Sequence, residues 1–143
     1  TLPMNNSFSI DEYPYFVLRC ICIVMQGKGG LFMNKEMMKG SIDLILLSII
    51  ARKDMYGYEM VQVLKQSSGD AYSMSEGTLY PALKRLETQG AIQSYWVEQE
   101  NNRPRKYYQI TEEGQRALQS KLKDWQQIHA LISKWNDLGV AYD

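Results

Sequence analysis

The segment from Ser75 to Gly114 constrains the fold more than any other part of the chain, because it reads as one amphipathic helix followed at once by two strands around a basic turn. Leu79, Ala82, Leu83 and Leu86 recur at three- and four-residue spacing and define a packing face, whereas Thr78, Tyr80, Lys84, Arg85 and Thr88 fall mostly elsewhere. Ser75 or Thr78 can cap the start, and Gly90 can supply the left-handed residue that ends the helix. Pro81 lacks an N–H, which places the helix start no more than about one turn upstream. The unpaired amides of that first turn are natural partners for phosphate.

Ile92 to Glu98 is rich in β-branched and aromatic residues, and Lys106 to Thr111 answers it across the polar turn Gln99 to Arg105. Arg103, Arg105 and Lys106 concentrate positive charge there, beside Asn101, Asn102 and Pro104. In isolation such a turn reads equally well as solvated surface. Beside a helix with a polar, cationic face it reads as a wing that contacts phosphate or the minor groove, where Arg is well suited. The unit is then a winged helix-turn-helix that reads duplex DNA, with Ser75, Thr78, Tyr80 and Lys84 on the helix and Arg103, Arg105 and Lys106 on the wing as the candidate contacts.

Two upstream helices complete a three-helix core. Lys35 to about Arg52 carries Met38, Ile42, Ile45, Leu46, Ile49 and Ile50, and Tyr56 to about Ser67 carries Tyr56, Met60, Val63 and Leu64 before a break at Ser67 to Asp70. A last helix runs from about Glu112 to Leu138, with Thr111 as cap and two acids in its positive first turn. Its stripe of Leu118, Leu122, Trp125, Ile128, His129, Ile132 and Trp135 is wider than the small domain can bury, which points to dimerisation; folding back onto its own domain is the alternative. The expected fold is mainly α with a small β-hairpin: a winged helix-turn-helix over residues 33–111 and a long dimerisation helix over 112–143.

Composition narrows the function. In 143 residues the formal net charge is +0, and between Met33 and Ile110 ten Lys/Arg face nine Asp/Glu, so any affinity for nucleic acid must come from local patches. One His, no Cys after Phe32, no Gly-rich phosphate loop and no clustered carboxylates leave nothing to assign as catalyst, cofactor site or metal site. A winged-helix module used only for protein contacts is the alternative reading. It would be expected to expose apolar residues on its third helix and would not need three cations on its wing, the opposite of what is written here.

Thr1 to Phe32 fit none of this pattern. The apolar run Tyr15 to Met25 is too short to span a membrane, contains Arg19 and follows the acids Asp11 and Glu12, so neither a membrane span nor a signal peptide is expected. Cys20 and Cys22 lie there without partner ligands, and the cysteine-free remainder suits a reducing cytoplasm. Codons for Lys28, Gly29 and Gly30 can resemble a bacterial ribosome-binding site at a suitable gap before Met33. Residues 1–32 are therefore expected to be leader sequence from a misassigned start, the alternative being a flexible N-terminal arm.

Met33 to Gly40, Tyr56-Gly57-Tyr58-Glu59, Glu76 to Glu87, Arg103 to Tyr108 and Thr111-Glu112-Glu113-Gly114, in unbroken order to about Trp135, resemble the PadR-like regulators, and in particular their small subfamily with a single C-terminal helix. The resemblance implies a dimeric winged-helix repressor acting on a palindromic operator. Asn101 and Asn102 stand where relatives often carry glycine. Drug-binding members place a tryptophan from each dimer helix around flat aromatic ligands, and Trp125 is in the matching position. By the same resemblance Met37, Gly40, Asp43 and Leu44 of the first helix and Ile128, His129 and Ile132 of the last would surround a planar aromatic molecule. Indole faces stack on planar rings and attract cations, and Asp43 could supply negative charge although His129 stands where a drug-binding relative has an acid. Read from the residues alone, Trp125 serves equally as plain interface core, and His129 as a packed or exposed helix residue.

Overall fold

The computed structural model describes residues 35–101 and 103–136; the leader reading of residues 1–32 falls outside them. Five helices and three short strands follow in the order α1 (Lys35–Lys39), α2 (Ile42–Ile50), β1 (Met55–Tyr56), α3 (Gly57–Ser67), α4 (Glu76–Thr88), β2 (Ile92–Val97), β3 (Arg105–Ile110) and α5 (Glu112–Trp135).

The helix expected to run unbroken from Lys35 to Arg52 is in fact two. Gly40 and Ser41 are weak helix formers, and the Ser41 amide donates to the Met38 carbonyl in a tight turn at 2.9 Å before Ile45 restarts the ladder on the Ser41 carbonyl. Apolar spacing carries across this turn, so periodicity alone does not reveal it. α2 is the centre of the core: every residue from Leu44 to Ile50 is buried, and the Ser48 hydroxyl returns its proton to the Leu44 carbonyl. Against it pack Met60 and Leu64 of α3, Leu79, Ala82, Leu83 and Leu86 of α4, and Leu118 and Leu122 of α5.

Tyr56, expected to open a helix, instead ends a two-residue strand. β1 pairs with β3 through Met55 opposite Tyr108 and Tyr56 opposite Tyr107, so the expected hairpin becomes a three-stranded antiparallel sheet in the order β1-β3-β2. Two residues are too few to show a period of two in sequence.

α4 ends as expected. Gly90 takes φ +76°, its amide bonds the Glu87 carbonyl and the Ala91 amide bonds the Leu86 carbonyl, the paired hydrogen bonds of a Schellman stop. Its start differs in detail: Ser75 stands at the cap in extended conformation, but its hydroxyl donates to Thr78 Oγ1 at 3.1 Å and makes no cap bond to the backbone.

The junction of wing and last helix is tight. Thr111 Oγ1 accepts from the Gly114 amide at 3.0 Å, its own proton lies between the carbonyls of Gly90 and Ala91, and the Thr111 amide also donates to Ala91. A Cβ on Gly114 would lie 1.9 Å from the Ala91 carbonyl oxygen, which leaves no room for any other residue. Beyond this junction α5 divides. Leu118 and Leu122 are buried in the domain core, Trp125 is half-buried at its edge, and Ile128, Leu131, Ile132 and Trp135 are exposed. The helix stops at Trp135, short of the expected Leu138, with Asn136 extended and its side-chain Nδ2 donating to the Ile132 carbonyl.

Gly114→Ala should therefore destabilise the fold by about 3 kcal/mol or more, since the obstacle is backbone and cannot rotate away. Thr111→Val, which keeps the shape and removes the cap, should cost about 1–2 kcal/mol. Urea denaturation followed by circular dichroism measures both, and a Gly114→Ala midpoint equal to that of the parent would show that the Ala91 carbonyl can move aside.

Candidate nucleic-acid interface

Four apolar residues anchor α4, so the opposite side is set by 100° per residue: Gly77, Pro81, Lys84 and Thr88 all face away from the core and are exposed. Two flanks border that stripe. On one, Tyr80 is half exposed while its phenol end lies against Gly57, where an added Cβ would come within 2.8 Å of the hydroxyl oxygen. This contact joins the first turn of α3 to the outer side of α4. Thr78 is half-buried on the other flank, and Ser75 is exposed at the helix start.

Arg85 shares that second flank with Thr78. Its guanidinium grips Asp43 of α2 with both Nη2 and Nε, and the carboxylate raises the pKa of Arg85 through hydrogen bonding and charge. The Asp43 carboxylate that the resemblance assigned to a ligand is thus engaged by the same polypeptide. The pair ties the outer helix to the first turn of the central one.

Strand alternation distributes the wing's cations. In the β2–β3 register Ile92, Ser94 and Trp96 stand opposite Ile110, Tyr108 and Lys106 on the side facing α4, while Gln93, Tyr95 and Val97 stand opposite Gln109, Tyr107 and Arg105 on the other. Lys106 reaches toward α4, with Nζ 3.8 Å from Glu87 Oε2 and 5.6 Å above the Tyr108 ring; Glu87 in turn accepts the Ser94 hydroxyl. Burial raises the Tyr108 phenol above its ordinary range, with Glu87 and Tyr80 adding to the effect. Arg105 lies on the outer side, its guanidinium 4.5 Å from the centre of the Tyr56 ring. The sequence places three cations together at a turn. Pairing of Val97 with Arg105 starts β3 one residue earlier than expected, leaves Arg103 alone of the three in the loop and sends Arg105 and Lys106 to opposite sides.

The outer side carries a ladder that sequence reasoning missed. Tyr58, Tyr56, Tyr107 and Tyr95 follow one another at centroid distances of 6.4, 5.5 and 5.8 Å. Tyr95 closes it by donating to Asp54 at 2.6 Å, a hydrogen bond that holds its phenol above the ordinary range. The tyrosines lie on four elements, β1, α3, β2 and β3, so their stacking depends on pairings that no local pattern in the sequence reveals.

The residues assigned to an aromatic ligand lie on α1, the turn after it, α2 and α5. Met37 is exposed on α1, Gly40 faces open space, and Leu44 is only 6% exposed, within the core. On α5 Trp125 stacks on His129 at 5.2 Å and 17°, with the exposed Ile128 and Ile132 about one and two turns beyond Trp125. Among the described residues no group of three or more His, Cys, Asp or Glu could hold a metal ion, and no helix is long and apolar enough to cross a membrane.

The family model of the transcriptional regulator PadR-like family matches residues 46–120, from within α2 through the wing and into α5. The chain belongs to this family. An uncharacterized protein X of Lysinibacillus sphaericus is 32% identical over 99 residues, which is 69% of this chain and 91% of that protein. Among solved structures, a transcriptional regulator from Clostridium thermocellum is 35% identical with a TM-score of 0.65, covering 70% of this chain and 97% of its own. A PadR family transcription regulator from Clostridium difficile is 36% identical with a TM-score of 0.60, covering 67% and 98%. This PadR-like chain is accordingly a winged-helix transcriptional regulator and not an enzyme. The matched span contains α4 and the wing and stops before the exposed end of α5.

The Arg85–Asp43 fork makes a measurable link within this PadR-like fold. Arg85 is half exposed, so Asp43→Asn and Arg85→Gln should each cost only about 0.5–1 kcal/mol, with a coupling of similar size in the double-mutant cycle. That coupling should shrink in high salt. Additive single effects in urea denaturation would show that the pair holds nothing together.

Proposed function

We propose that this chain is a homodimeric repressor of a neighbouring gene, with α4 of each copy in successive major grooves of a palindromic operator and the wings on the flanking backbone. What supports the DNA reading is that the outward stripe of α4 is exposed and carries Lys84 and Thr88, with Ser75, Thr78 and Tyr80 bordering it, while the adjoining wing brings Lys106 to the α4-facing side of the sheet and Arg103 to its loop. Arg105, steadied on Tyr56, serves the outer margin of the wing. Hydrogen bonds from Lys, Ser, Thr and Tyr to phosphate fix register, and those that reach base edges carry sequence.

A second copy is the natural cover for the far half of α5. Ile128, Leu131, Ile132 and Trp135 recur at three- and four-residue spacing on an exposed helix side, and a two-fold seam buries the same stripe from both copies. Two-fold symmetry in the protein then calls for a palindrome in the DNA. In this reading Trp125 sits at the inner end of the seam, backed by His129 and bordered by Ile128 and Ile132, with Met37 and Gly40 of the first helices nearby and Asp43 and Leu44 beneath. A planar aromatic effector would lie between the two Trp125 rings.

Gel shifts and footprints on the neighbouring promoter test the DNA reading. Arg103→Ala with Arg105→Ala should weaken binding to every duplex and lower the salt slope by about one unit per lost phosphate contact. Thr78→Ala, Tyr80→Phe or Lys84→Ala should act chiefly on the operator. An unchanged affinity and slope in the double wing variant would remove the wing from the interface.

The effector reading makes a separate prediction. With Trp96→Phe and Trp135→Phe in the background, Hoechst-type dyes, flavins or phenolic acids should quench Trp125 emission saturably, and each stacked ring should contribute on the order of 1 kcal/mol. Bound ligand should also change operator affinity, because a regulating ligand must favour one dimer geometry over another. Saturable quenching that survives Trp125→Ala would place the ligand elsewhere.

A further inference from the structure

Trp96 is 65% exposed on the strand side that faces α4, and nothing in the packing of the domain accounts for so large an apolar residue at that place. Ser94, two residues earlier on the same side, is bonded to Glu87 of α4, and Tyr108 opposite Ser94 is buried. One pair closer to the wing loop, Trp96 stands directly opposite Lys106, whose ammonium reaches toward Glu87 of α4.

We propose that Trp96 is a contact to the sugar–phosphate backbone of duplex DNA at the edge of the groove that α4 enters. The inference rests on the DNA reading above and names a residue that this reading did not include. An indole suits the position in three ways. It offers a flat apolar surface for a deoxyribose, its Nε1–H is a donor that can meet a phosphate oxygen, and its two side-chain torsions make ordering inexpensive in entropy. The neighbouring charges agree with an anionic occupant. Lys106 lies across the ladder, and the nearby carboxylate of Glu87 is half-buried and occupied by Ser94 and Lys106. A backbone contact carries no sequence information, so Trp96 should strengthen binding to operator and unrelated duplex alike.

The test uses the full chain labelled with 5-fluorotryptophan, with the Trp96 resonance identified by its loss in Trp96→Phe. On adding a short duplex from the promoter of its own gene at low salt, that fluorine resonance should shift or broaden, and it should recover as salt is raised. In binding by fluorescence anisotropy Trp96→Ala should lose roughly tenfold in affinity, and Trp96→Phe, which keeps the ring and lacks the donor, should fall between. Both variants should unfold at nearly the parent temperature, because the side chain is mostly outside the core. The proposal is overturned if duplex binds while the Trp96 resonance stays unmoved, or if Trp96→Ala binds like the parent. It is also overturned if the resonance moves with protein concentration alone, which would make the contact one between copies. Failure of the parent chain to bind any duplex at low salt would instead remove the DNA reading itself.

Discussion

One hydroxyl organises this molecule. Thr111 Oγ1 accepts from the Gly114 amide and donates to the carbonyls of Gly90 and Ala91, so a single side chain joins the stop of α4, the residue that leads into β2 and the first turn of α5. The bonds are short and local to the backbone, and the missing side chain at Gly114 lets the two segments touch. Without that closeness, neither the angle between α4 and the hairpin nor the departure of α5 would be defined, since both strands end at this point.

A second constraint is charge held by charge across the domain. Arg85 of α4 is gripped by Asp43, Lys53 by Glu59, and Lys106 approaches Glu87, so the nearly balanced domain spends several of its cations on its own architecture. Mostly solvent-facing pairs of this kind add little stability each. Their effect is on direction: each holds its cation toward a carboxylate of the same domain, while Lys84 on α4 and Arg103 on the wing loop are exposed outside these pairs. Net charge thus says little about the interface, and the placement of a few side chains says most.

What could be read from the residues follows the range of the interactions. The helix through Leu79 to Leu86, its glycine stop, the paired strands and the Thr111 cap depend on neighbours a few positions away, and each is visible in sequence. The Asp43–Arg85 fork joins residues 42 apart and the Tyr95–Asp54 bond residues 41 apart, and neither leaves a local pattern. β1 exists because β3 offers it an edge, and α1 separates from α2 at a turn that hydrophobic spacing passes over. The cations of the wing were legible as residues but not as directions, because a one-residue change in where β3 begins decides which of them lie in the strand. Leu44, matched to a pocket residue by resemblance, is 6% exposed and part of the core, a burial that the resemblance does not convey.

The proportions of α5 add a mechanical consequence. Its 24 residues extend about 36 Å, held at one end by Thr111 and along the first turns by Leu118 and Leu122, with Ile128, Leu131, Ile132 and Trp135 exposed along its far half. Such a helix is a lever whose fulcrum is the wing junction. A tilt of about 5° at the fulcrum carries the Trp135 end about 3 Å, close to the radius of the helix backbone itself. Read in the other direction, the same ratio makes the wing junction insensitive: several ångströms of adjustment at the far end reach it as only a few degrees of turn.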